Sequence, residues 1–269
     1  MRSSDQFIGI MSYSALEACF LSDNGFDNIL IAYPVVDQIL ITECCNRIKK
    51  GKKIIFMVDS EAQLSRIDRQ ARETEITVPV CIDIDLSYRI PGLHFGVLRS
   101  PLNSVSAVEG LIDLGKRFQT QFVGIMGYEA QIAGLPDFSP ANGLLKNSVI
   151  RFLKKHSIRN LKRRREEIVS CVSEQGVSLD FVNGGGTGSV ESTEQEDCIT
   201  EITVGSGFFS PHLFDFYNAF RHLPASGFAV EITRIPKKGI YTCHGGGFIA
   251  SGLIGIDKQP SPYLPAGAK

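Results

Sequence analysis

Leu179-Asp180-Phe181-Val182-Asn183 runs directly into Gly184-Gly185-Gly186-Thr187-Gly188, and a little further on Glu201-Ile202-Thr203-Val204 runs into Gly205-Ser206-Gly207-Phe208-Phe209. Each is an apolar strand ending in a glycine-rich loop. Glycine admits positive φ and lets a ligand approach the main chain closely. Successive N–H groups in such a turn form a concave anion nest. In a β/α barrel the loops after the last two strands are the usual phosphate site. The alternative is a pair of tight strand-to-helix turns with no ligand.

Reading outward from these loops, short apolar runs alternate with amphipathic stretches, the pattern of a parallel α/β fold. The runs are Phe7 to Met11, Ile29 to Tyr33, Ile54 to Val58, Val78 to Asp85, Phe122 to Gly127, Leu179 to Val182 and Glu201 to Val204. Helices are expected from Ser12 to Leu21 with Ser12 or Ser14 as cap, from Val36 to Lys50, from Glu61 to about Arg72, from Ser104 to Phe118, and from Gly143 to Gln175. Leu86 to Pro101 reads as a long loop. An eight-stranded barrel needs one strand more than these runs supply. If that strand is the first, the two glycine loops fall after strands seven and eight. The expected fold is therefore an α/β chain: a TIM-like β/α barrel lacking its first strand, residues 1–224, followed by the start of a β-rich domain, residues 225–269. Phe228 to Ile232 and Gly239 to Cys243 read as strands of that second unit, with no helix between them.

The bulk numbers exclude several classes. A net charge of −1 exerts no general pull on nucleic acid or an anionic membrane. No apolar run reaches membrane-spanning length. Seven scattered cysteines without a CxxC pair suit a reducing cytoplasm better than a disulfide framework, and Cys19 and Cys81 fall in apolar patterns that read as buried. Cys243 and His244 are adjacent, but no second pair has zinc-site spacing, so these residues predict no metal. The basic set Arg151, Lys154, Lys155, Arg159, Lys162, Arg163, Arg164 and Arg165 interleaves with apolar positions at helical spacing and reads as a solvated helix face.

Residues at the carboxyl ends of barrel strands face the active site. Here they are Tyr33, Asp59, Asp83, Asp85 with Arg89 just beyond, Tyr128, Glu129, Asn183 and Ser206. Arg89 is a permanent cation that can bind a ring nitrogen or a carboxylate, with Asp83 or Asp85 to orient it. Tyr128 can stack on a ring or donate through its hydroxyl. Each can equally serve a helix cap or a surface ion pair.

Gly25 to Pro34, Ile82 to Pro101, Met126 to Gln131, Asn183 to Gly188, Gly205 to Phe208 and Thr242 to Gly252 together resemble the fold-type III pyridoxal-phosphate proteins, the alanine racemase N-terminal-domain superfamily. The resemblance is strongest to the branch of amino acid aldolases, D-threonine aldolases and D-serine dehydratases. It implies that Gly185, Gly186, Thr187, Gly188, Gly205, Ser206 and Gly207 hold the phosphate of pyridoxal 5′-phosphate. It places Arg89 near the pyridine nitrogen and Tyr128 beside the ring or the substrate, which makes these two the catalytic candidates. It further implies a small amino acid substrate, a homodimer for the intact protein, and lyase or racemase chemistry. Members carry the cofactor on a Schiff-base lysine at the end of the first barrel strand. That strand would precede Phe7, and the C-terminal segment that supplies zinc in the metal-dependent branch is not matched. The expectation is a chain that binds the cofactor weakly or non-covalently and is impaired alone. Two other readings stand beside it: a non-catalytic pyridoxal-phosphate or phosphate binder, and a barrel enzyme on a phosphorylated substrate with Asp83, Asp85 and Glu129 as acid–base groups.

Overall fold

The computed structural model describes residues 6–140, 142–247, 255 and 259–268. Its first strand, β1 (Ile10–Ser12), starts later than the apolar run suggests, and Ser14 rather than Ser12 caps the helix that follows. In that helix, α1 (Ala15–Asp23), the Ser14 hydroxyl accepts from the Glu17 N–H, which satisfies one orphan donor of the first turn. Next come β2 (Ile29–Ile31) and α2 (Gln38–Lys49), where Asp37 caps and Arg47 and Lys49 face the negative end of the helix dipole. The pattern continues through β3 (Ile54–Val58), α3 (Glu61–Thr74) and β4 (Val78–Asp83).

Beyond β4 the expected loop contains a short antiparallel hairpin, β5 (Tyr88–Ile90) and β6 (Leu93–Phe95), turning at Gly92. Then follow α4 (Val105–Gly115), β7 (Thr120–Met126), the single turn α5 (Ala130–Ala133) and the long α6 (Leu144–Glu174). The glycine-loop strands are β8 (Phe181–Gly184) and the two-residue β9 (Glu201–Ile202), separated by α7 (Val190–Thr193). Residues 206–208 and 212–216 form 3-10 turns. The hairpin β10 (Glu231–Lys237) and β11 (Ile240–His244) is antiparallel and exposed throughout.

Seven strands make one wholly parallel sheet in the order β1-β2-β3-β4-β7-β8-β9. This is the strand count the apolar runs predict. A parallel sheet is covered on both faces, so its strands read as continuous apolar runs. Ile29, Ile31, Ile54, Phe56 and Val58 point outward into the layer beneath the helices, together with Ala18, Ile41, Leu64, Ile67 and Leu161. Leu30, Ile55, Met57, Cys81, Val123, Met126 and Phe181 point inward as a second cluster. The sheet is open between β1 and β9. It curls toward closure, because Phe7 ahead of β1 meets Phe208 beyond β9 with ring centroids 5.6 Å apart. Among the described residues no helix is long and apolar enough to cross a membrane.

Candidate functional site

Parallel pairing puts all seven carboxyl ends on one rim. β8 and β9 are neighbours in register, Asn183 opposite Glu201 and Gly184 opposite Ile202, so their glycine loops lie side by side. Thr187 in the first loop joins them, its Oγ1 accepting the Gly207 N–H at 2.8 Å. That leaves the Thr187 hydroxyl proton free to be donated. Gly185 sits at φ +89, where a side chain would be strained. Gly186 lies close beneath Tyr128: a Cβ there would stand 2.9 Å from Ala133 Cβ and 3.0 Å from Tyr128 Cε2. Gly205 faces open space, with nothing within 4 Å of an added Cβ.

The first loop is held from behind by a buried carboxylate. Glu129 Oε1 accepts from the Gly185 N–H at 2.9 Å, from Ser189 Oγ at 2.9 Å and from Thr193 Oγ1. Its Oε2 accepts from Arg165 Nη2 at 2.9 Å. Arg165 also donates to the Gly127 carbonyl at 2.7 Å and pairs through Nη1 with Glu196 at 2.5 Å. The side chains of Arg165, Glu129 and Glu196 are 0%, 1% and 1% exposed. Burial pushes the Glu196 carboxyl up, with Arg165 pulling it back down. Glu129 therefore organises the loop and does not face the rim as an acid–base group, which corrects the role the strand-end pattern offered it. The Gly185 N–H is likewise committed to Glu129, and the Gly207 N–H to Thr187. Among the described residues the N–H groups of Gly186, Thr187, Gly188, Gly205 and Ser206 have no protein acceptor. They are the donors open to an anion.

The basic set on α6 is only in part the solvated face its composition suggests: Arg151, Lys155, Arg159 and Arg163 are exposed, but Lys154 and Arg165 are buried. Arg165 shares the buried stripe of Leu161, Ile168 and Val172. Arg164 donates to the carbonyls of Asp85, Ser87 and Asn103 at 2.6, 2.8 and 3.0 Å, which pins the root of the β5–β6 hairpin. Lys154 is buried, donates to the Leu135 carbonyl and pairs with Asp137 at 2.9 Å. Helix donors that reach loop carbonyls and carboxylates satisfy groups that would otherwise be buried unpaired.

On the opposite side of the rim, a residue the sequence reading missed takes the central place. Arg99 grips Asp83 with its Nε 3.0 Å from both carboxylate oxygens, donates to the Ala32 carbonyl at 3.1 Å, and lies 5.3 Å from the Tyr33 ring and 5.7 Å from the Tyr128 ring. Tyr13 meets Tyr33 edge-on at 5.4 Å. Asp83 thus orients Arg99. Asp85 is the partner of Arg89, at 3.3 Å, while it also accepts from the Ser87 N–H. Arg89 stands on the hairpin with its side chain 50% exposed. Burial raises the Asp83 carboxyl to about 6 against the pull of Arg99. Burial, followed by the nearby Glu129 charge, also raises the Tyr128 phenol, so it is a neutral donor at physiological pH.

The structure thus brings Tyr128 against the first glycine loop, Arg99 against Tyr128, and the two loops against each other. This seven-stranded parallel sheet with its covering helices is a fold shared with solved β/α structures. The match to D-threonine aldolase from Filomicrobium marinum has TM-score 0.68 at 16% identity, covering 89% of this chain and 60% of that one. D-threo-3-hydroxyaspartate dehydratase from Delftia sp. HT23 matches with TM-score 0.55 at 19% identity, over 76% of this chain and 48% of that one. In sequence, the 3-hydroxy-D-aspartate aldolase of Paracoccus denitrificans (strain Pd 1222) is 23% identical over 191 residues, 62% of this chain and 46% of the relative. No family model matches the sequence. The chain spans about half the length of the curated relative.

Proposed function

We propose that this chain is the cofactor-holding barrel of a pyridoxal-phosphate-dependent enzyme of small amino acids, an aldolase or dehydratase of β-hydroxy D-amino acids in preference to a racemase. The observation that carries this is the pair of glycine loops joined by the Gly207–Thr187 hydrogen bond, with unengaged N–H groups beside a Tyr and an Arg. The N–H groups of Gly186, Thr187, Gly188, Gly205 and Ser206, together with the Thr187 hydroxyl, suit a phosphate dianion, because backbone donors arranged in advance stabilise charge without reorganising. The absence of a Cβ at Gly205 lets a ligand approach the main chain there, whereas at Gly186 it makes room for Ala133 and Tyr128. When bound, the cofactor supplies an electron sink for negative charge at the substrate α-carbon. Arg99, fixed by Asp83, presents a cation at the rim for a carboxylate or ring nitrogen, and Arg89 is a second such donor on the exposed hairpin. Tyr128 closes one side of the site and can donate through its hydroxyl.

In this reading the cofactor is held non-covalently by the chain alone, and turnover is impaired. Lys53 stands at the amino end of β3 and pairs with Asp180, Lys116 ends α4, and Lys146, Lys154, Lys155 and Lys162 lie on α6. None of these occupies the carboxyl rim. The same observation favours a second reading, a protein that binds pyridoxal phosphate without catalysis. Borohydride reduction of the cofactor-loaded chain, followed by intact mass measurement, tests the shared part: the account expects bound cofactor that denaturant releases and no mass gain on the polypeptide. A stable adduct on one of these lysines contradicts it. Cleavage or dehydration assays on β-hydroxy D-amino acids separate the two readings when the intact protein is used. The homodimeric state belongs to the same proposal.

A further inference from the structure

Outside the rim, the far side of the first glycine loop forms one wall of a cleft of about 310 Å³ whose opposite wall is α6. Its floor is apolar, built on Ile132, Ile158 and the Tyr217 ring. Tyr217 is buried and anchored by its hydroxyl to the Ala133 carbonyl. Arg151, Lys155 and Arg159 reach the cleft from successive turns of α6 at i, i+4 and i+8. Like charges at that spacing repel and destabilise a helix. Several other basic residues of α6 are matched: Arg163 pairs with Glu167, Lys162 with Glu166, and Lys154 with Asp137. Arg151 donates to the Asp137 carbonyl and to Ser148 Oγ. Among the described residues, Lys155 and Arg159 have neither an ion partner nor a hydrogen-bond acceptor. Two carboxylates also line the cleft. Asp137 is already neutralised by Lys154, and Glu191 has a buried Oε2 with no donor, so the accessible balance is positive.

We propose that this cleft is a second binding site, separate from the rim, for a small organic oxyanion with a compact apolar group. The anionic head pairs with Lys155 and Arg159, and the apolar part lies on Ile158 and Tyr217. A concave, largely apolar site with a few polar groups converging on it is the usual build of a small-molecule pocket. Of the residues assigned to the cofactor only Gly188 lines this cleft; Lys155, Arg159, Ile158 and Tyr217 have no part at the rim, so the proposal stands whether or not the rim binds pyridoxal phosphate.

The test is calorimetric titration of the full chain with phenyl phosphate, first alone and then after saturation with pyridoxal phosphate. Inorganic phosphate and benzylamine serve as comparison probes. The expected result is one phenyl phosphate site that persists after saturation, tighter than inorganic phosphate because of the apolar floor. The double charge reversal Lys155→Glu/Arg159→Glu should weaken it at least tenfold, and the milder Lys155→Gln/Arg159→Gln several-fold. Lys155 and Arg159 are both exposed, so circular dichroism should show an unchanged fold in either double variant. Phenyl phosphate that merely competes with pyridoxal phosphate, binding untouched by either double variant, or a preference for benzylamine would each overturn the proposal. Loss of pyridoxal phosphate binding in Gly205→Val with phenyl phosphate binding retained would separate this site from the rim.

Discussion

Replacing Glu129 by Gln tests the support of the glycine loop. The carboxylate faces four donors: the Gly185 N–H, the Ser189 and Thr193 hydroxyls, and Arg165. A carboxamide has one acceptor oxygen, and its NH2 must point at a donor whichever way it turns. Either Arg165 or the loop donors are stranded in a site that is about 1% exposed. Breaking a buried pair by removing one partner costs about 3–5 kcal/mol. Glu196 still pairs with Arg165, which puts the expected loss near the lower end, about 3 kcal/mol, out of a total stability of about 5–15 kcal/mol. In urea this is a midpoint shift of about 1 M, taking a slope of about 3 kcal/mol per M. Arg165→Met should cost more, because it leaves both Glu129 and Glu196 uncompensated. The double variant should lose less than the sum of the singles, since the groups share one network. A single-variant loss below about 1 kcal/mol, or full additivity, would refute the claim that this pair holds the loop.

Three further outcomes follow from the rim. Gly205→Val adds a Cβ with no protein atom within 4 Å, so thermal stability should stay within about 0.5 kcal/mol while pyridoxal phosphate affinity, read by fluorescence titration, falls at least tenfold. Equal loss of both would place Gly205 in the fold and not in the site. Asp83 titrates near 3.8 when unfolded and near about 6 when folded, so between these values the folded state keeps a proton that the unfolded state has released. Stability should therefore fall as pH rises from about 4 to about 6, by up to about 3 kcal/mol, and level off above. Denaturation of Asp83→Asn across that range should lack the slope, and a wild-type curve that is flat there contradicts the assignment. Arg99→Lys keeps the charge but loses the planar guanidinium that joins Asp83 to the Ala32 carbonyl and lies between the tyrosine rings. Cofactor or substrate affinity should drop at least tenfold with little change in melting temperature, and a silent substitution would remove Arg99 from the site.

Much of the fold was legible because a buried parallel strand announces itself as an unbroken apolar run. Ile54 to Val58 and Val78 to Asp83 fall where those runs predict. The β5–β6 hairpin escaped because each strand has three residues, too short for an alternation to register, and Gly92 was its one local signal. The glycine loops were legible through composition alone. Their support was not, since Glu129 and Arg165 are 36 residues apart and meet only through the packing of α6. A trace was present: Arg165 lies on the helical stripe of Leu161, Ile168 and Val172, and a charge on an apolar stripe demands a buried partner. Arg99 carried no such trace. It sits sixteen residues beyond Asp83, and only the folded course of the intervening hairpin brings it back to the rim, ahead of the nearer Arg89.

The central claim is that the two joined glycine loops are a phosphate site, and comparing pyridoxal 5′-phosphate with pyridoxal tests it most directly. The two ligands differ only in the phosphate, and charge-assisted hydrogen bonds contribute about 1.5–3 kcal/mol each. Equilibrium titration of the full chain should therefore show the phosphorylated form binding at least a hundredfold more tightly, with inorganic phosphate competing. Equal affinity for the two, or no binding of either, would contradict the account.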